Sequence, residues 1–125
     1  MKTALKYLEE MHGKMGNSYS GDFGNVAREV ATRLILDGEE PEIFYFVGKT
    51  ERDDPVKREL ITLKPYNAKT VIAAHFVCGA NGMIYDPMFK NPVRSEDYPR
   101  MAFNEETDME ILFDRDKTRK IFGNQ

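Results

Sequence analysis

His75 stands in the most apolar stretch of the chain, Val71-Ile72-Ala73-Ala74-His75-Phe76-Val77-Cys78. A buried imidazole needs partners for its nitrogens, or its burial costs on the order of 1–3 kcal/mol. A carboxylate follows at Asp86, in Ile84-Tyr85-Asp86-Pro87. Between the two lies Asn81-Gly82, a strong hairpin signal, because both residues tolerate the positive φ of a tight two-residue turn. With that turn Val77 faces Asp86 and His75 faces Met88, so His75 and Asp86 share one sheet face as diagonal neighbours. A four-residue loop preserves this relation, and a three-residue loop puts the two side chains on opposite faces. A histidine oriented by a carboxylate on the next strand is the base-and-orienter half of a catalytic triad. It is also a common structural hydrogen bond beneath a hairpin. The residues alone leave both readings open.

Other groups capable of chemistry carry less. Cys78 lies three positions along the strand from His75, so it points to the opposite face and reads as a core thiol. Ser20, beside Gly21, reads as a turn residue rather than a hydroxyl nucleophile. His12 falls near the end of the first predicted helix, where a cation suits the dipole, and reads as a surface residue. Asp53 and Asp54 precede Pro55 and read as a solvated turn, not a metal site. A single cysteine can form neither an intrachain bridge nor a zinc site. No metal and no cofactor are expected.

The elements that must position these groups begin with two helices. Ala4, Leu5, Leu8, Met11 and Met15 recur at helical spacing over residues 2–15, and Gly16 ends the run. A loop over 17–22 closes with Asp22, a natural N-cap. Phe23, Val26, Ala27, Val30, Ala31, Leu34 and Ile35 then form one continuous apolar stripe, ended by Asp37-Gly38 and Pro41. Strands are expected at 43–47, 60–63, 70–78, 83–86 and 109–113, with a charged loop over 50–57. Pro87 and Pro92 mark an irregular stretch, and residues 117–122 suggest a short terminal helix. Helices followed by neighbouring strands predict an α+β fold, with long helices of the N-terminal half packed on a mainly antiparallel sheet.

At 125 residues the chain has the size of one domain, spanning 1–125. Acidic and basic residues are interspersed and the net charge is only -3, which argues against a nucleic-acid partner. Residues 1–10 are too charged for the apolar h-region of a signal peptide, so none is expected there, and no apolar run approaches the ~20 residues of a membrane span. A reducing, cytoplasmic setting without membrane contact is expected.

The segment Asn17-Ser18-Tyr19-Ser20-Gly21-Asp22-Phe23-Gly24 enters the second helix through a glycine-containing loop, where a helix dipole would stabilise a thiolate. By order and spacing, residues 17–87 resemble the papain-like cysteine hydrolases, including their transglutaminase-like and bacterial amidase branches. In that superfamily a nucleophilic Cys opens the central helix and an amide side chain six residues earlier stabilises the oxyanion. A His and then an Asp or Asn follow on successive strands. The resemblance implies that Asn17 holds the oxyanion position, His75 that of the base and Asp86 that of the orienter. The nucleophile position is occupied by Phe23, whose ring has no lone pair and no ionisable proton. The implied protein has a papain-like core, is non-catalytic, and serves as a binding or accessory module for a protein or peptide partner. Two alternatives stand beside it. One is an active small hydrolase or acyltransferase, of peptidase, amidase or transglutaminase type, with a non-standard nucleophile. The other is a plain α+β binding protein in which the His75–Asp86 pair is structural.

Overall fold

The computed structural model describes residues 2–15, 23–66, 71–105, 109–113 and 118. Helix α1 spans Thr3–Met15 and α2 spans Phe23–Leu36. At 13 and 14 residues they are of ordinary rather than great length. The α2 stripe is buried at Phe23, Val26, Ala27, Val30, Ala31 and Leu34, while Ile35 at its margin is half-buried. The helix ends as its glycine implies. Gly38 takes φ 84°, the Gly38 N–H donates to the Ile35 carbonyl, and the Glu39 N–H donates to the Leu34 carbonyl. These two bonds satisfy carbonyls that a helix end otherwise leaves open.

Asp37, just past α2, closes the other helix. Its carboxylate accepts the backbone N–H groups of Thr3 and Ala4 at 2.9 and 3.0 Å, and the Thr3 hydroxyl at 2.7 Å. It thus does for the start of α1 what a local N-cap would do. Burial acts to raise the Asp37 pKa, but the hydrogen bonds from Ala4 and Thr3 and the nearby Lys2 charge outweigh it and hold it below 3.8. A depressed folded pKa gives stability that is present above the unfolded value and lost as pH falls through the folded one. Asp37→Ala is therefore expected to cost about 1 kcal/mol at neutral pH. In urea titrations the deficit should begin to shrink below about pH 4 and vanish once the pH has fallen through the depressed pKa of the folded carboxylate.

A five-stranded antiparallel sheet follows, in the order β8-β7-β6-β1-β9. Its strands are β1 (Glu42–Gly48), β6 (Ala74–Ala80), β7 (Met83–Tyr85), β8 (Val93–Arg94) and β9 (Met109–Phe113). Two short ribbons flank it: β2 (Thr50–Glu51) with β3 (Asp54–Arg58), and β4 (Ile61–Thr62) with β5 (Val71–Ile72). The α+β class and the antiparallel sheet are as expected, and α2 packs on β6 and β1.

Local departures have physical causes. The strand expected over 70–78 bends at Ala73, so its first part pairs with β4 and only the remainder joins the main sheet. The expected charged loop at 50–57 contains the β2–β3 ribbon. There the Asp54 side chain accepts the Val56 and Lys57 N–H groups, building the turn locally. The irregular stretch after Pro92 gives way to β8 and a short helix, α3 (Tyr98–Ala102), opened by Pro99 in its first turn. The helix expected at 117–122 lies outside the described residues except for Thr118, whose hydroxyl accepts the Ile43 N–H at 3.0 Å. Gly16 and Asp22 also lie outside them. Among the described residues, no helix is long and apolar enough to cross a membrane.

Candidate functional site

The hairpin decides the site. Asn81 and Gly82 adopt φ 53° and 76°, the pair of positive values that a two-residue turn needs. Ala80 then pairs with Met83, Gly79 with Ile84 and Cys78 with Tyr85. Continuing that register sets Val77 opposite Asp86 and leaves His75 and Asp86 on one face. Strand β7 stops at Tyr85, and the Asp86 carbonyl accepts the Phe89 N–H at 2.9 Å, turning the chain away from the sheet.

His75 and Asp86 are both 1% exposed, and His75 Nε2 lies 2.8 Å from Asp86 Oδ2. An ionised carboxylate only accepts, so Nε2 carries the proton and donates it. Asp86 is held from two further directions: Oδ1 accepts the Met88 N–H at 2.9 Å, and Oδ2 accepts the Tyr98 hydroxyl. Burial raises the Tyr98 pKa well above 10, and the Asp86 charge beside it pushes the same way. Tyr98 therefore stays a neutral donor. A carboxylate taken fully out of water requires such saturation, and three donors supply it here.

Aromatic rings enclose the imidazole. Phe23, at the start of α2, meets His75 edge-on with ring centroids 4.8 Å apart and planes at 64°. Phe103, just past α3, meets it at 5.8 Å and 77°. Phe46, paired with His75 across β1–β6, packs on both Tyr98 and Phe103. Phe23 is itself 4% exposed, so the ring and the imidazole are buried together.

Of the residues singled out from the sequence, Phe23, His75 and Asp86 converge. Asn17 and Ser20 lie outside the described residues. Cys78 does not join the cluster: strand alternation turns it away from His75, it is fully buried, and burial pushes its thiol up to about 12. His12 is not the plain surface residue expected. It is half-buried, and Nδ1–H donates to the Pro87 carbonyl at 2.9 Å, tying α1 to the chain just after Asp86. Tyr98 is the member of the network that the sequence reading missed. Only Pro99, a helix-start signal, marked its neighbourhood, and nothing local links it to Asp86.

The Asp86 contact holds one imidazole in a fixed tautomer and orientation. Buried against Phe23, the ring is 1% exposed and presents almost no surface to a substrate. A shallow cavity of about 410 Å³ lies instead at the hairpin tip, lined by Asn81, Gly82, Met83, Arg94, Ser95 and Glu96. Among the described residues, no group of His, Cys, Asp or Glu side chains converges as a metal site. Compared with known proteins, the chain matches no family model, no curated protein and no solved structure.

Proposed function

We propose that this chain is a papain-like protein that has lost its nucleophile and acts as a non-catalytic binding or accessory module for a protein or peptide. The observation that carries this reading is the edge contact between Phe23 and His75. A ring at the start of α2 occupies the place where a thiol would have to stand to be activated by that imidazole. The helix start offers a thiolate-stabilising dipole and the hairpin offers an oriented base, but the side chain between them is inert. Cys78 is no substitute, because a thiol pushed up to about 12 is essentially un-ionised at neutral pH.

The purified protein is expected to show no peptidase, amidase or transglutaminase turnover. It should also resist electrophilic probes directed at serine or cysteine. Probe labelling at Ser20 or Cys78 that His75→Ala abolishes would instead establish an active enzyme with a non-standard nucleophile.

A further inference from the structure

The two edges of the main sheet differ. At one edge β8 is only two residues long, follows Pro92 and ends on the charged Arg94. Short length, proline and charge are the usual means by which an edge strand is kept from pairing with another chain. At the other edge β9, Met-Glu-Ile-Leu-Phe, is less protected: it has five residues, no proline, no lysine and one charge. Ile111 and Phe113 are 53% and 42% exposed. The single charge, Glu110, is already engaged by Arg58 of its own chain at 3.1 Å. No described strand pairs with the outer side of β9.

The hairpin fixes which backbone groups that outer side presents. A two-residue turn makes Ala80–Met83 a mutually hydrogen-bonded pair, and in antiparallel strands such pairs alternate with non-bonded ones. Cys78 then bonds to β7, and His75 and Val77 bond to β1. It follows that Phe44 and Phe46 turn their backbone groups toward β6, whereas Tyr45 and Val47 turn theirs toward β9. Within β9, Glu110 and Leu112 therefore bond inward, and Met109, Ile111 and Phe113 point their N–H and C=O groups outward. The Ile43 N–H, bonded to Thr118 on that same side, fits the alternation.

We propose that β9 is a self-association edge, where a second copy of the chain pairs antiparallel with Ile111 on the twofold axis. That register sets Ile111 against Ile111 and Met109 against Phe113 as hydrogen-bonded pairs, all apolar and all on one sheet face. Glu110 falls opposite Leu112, so no like charges meet. The exposed side chains on the strand become cross-strand partners, and a twofold pairing of one patch with itself gives a closed dimer.

The test is light-scattering mass measurement on the full chain across micromolar to millimolar concentrations. The expected result is a mass rising to twice that of one chain, and a single-chain mass throughout would overturn the proposal. Ile111→Lys sets two ammonium groups across the axis at an exposed position and should hold the protein at single-chain mass. A Lys variant that still dimerises would count against β9. The register is read by oxidation: Ile111→Cys should crosslink between copies, because a directly opposed pair lies about 5.5 Å apart at Cα, within disulfide reach. Phe113→Cys, which faces Met109 of the second copy, should not, and equal crosslinking of the two variants would overturn the pairing.

Discussion

Asp86→Ala is expected to destabilise the protein by about 3–5 kcal/mol, the range for removing one member of a buried charged network. Total stabilities of such domains lie at about 5–15 kcal/mol, so the variant should sit near the edge of unfolding. The size follows from what is left behind. The His75 Nε2–H, the Tyr98 hydroxyl and the Met88 N–H all donate to this one carboxylate, and all four residues are buried. Each orphaned donor incurs its own desolvation penalty, on the order of 1–3 kcal/mol. Tyr98→Phe removes only one of these bonds and keeps the ring against Phe46, Phe89 and Phe103, so about 1 kcal/mol is expected. Urea unfolding of the three proteins measures both values. Equal midpoints for Asp86→Ala and wild type would mean that the network contributes nothing to folding.

Half of this network was legible in the sequence. Asn81-Gly82 specified a turn, the turn specified a register, and the period of two along a strand did the rest. The α2 helix was legible for a similar reason, since seven apolar positions at helical spacing and a closing glycine all agree. Tyr98 was not, because its bond to Asp86 joins segments that share no local pattern. The elements missed around it are short. With two residues in β8 and five in α3, there are too few positions to display a period, and tertiary contacts hold them in place. His12 was misread because its position near a helix C-terminus explained it without a partner, and the Pro87 carbonyl comes from 75 residues away. For Phe23 the burial was legible in the stripe, whereas the contact with His75 depends on how α2 approaches the sheet. The oxyanion expectation for Asn17 rests on the papain-like resemblance alone.

Phe23→Cys asks directly whether the start of α2 and His75 form the two halves of a thiol site. The substitution removes a buried ring and is expected to cost about 3 kcal/mol, so folding must be followed by circular dichroism in parallel. The new thiol would stand at the first turn of α2, beside an imidazole whose other nitrogen is fixed by Asp86. A helix dipole and a neighbouring histidine each lower a thiol pKa, together by roughly one to several units. Cys78 supplies little background, since burial pushes it up to about 12. The decisive measurement is the pH dependence of iodoacetamide labelling of Phe23→Cys, alone and combined with His75→Gln. A nucleophile position predicts a thiol that titrates well below the ~8.5 of free cysteine and returns toward it in the double variant. A folded Phe23→Cys protein whose new thiol titrates like free cysteine, with or without His75, would contradict the papain-like reading and leave a plain α+β binding protein.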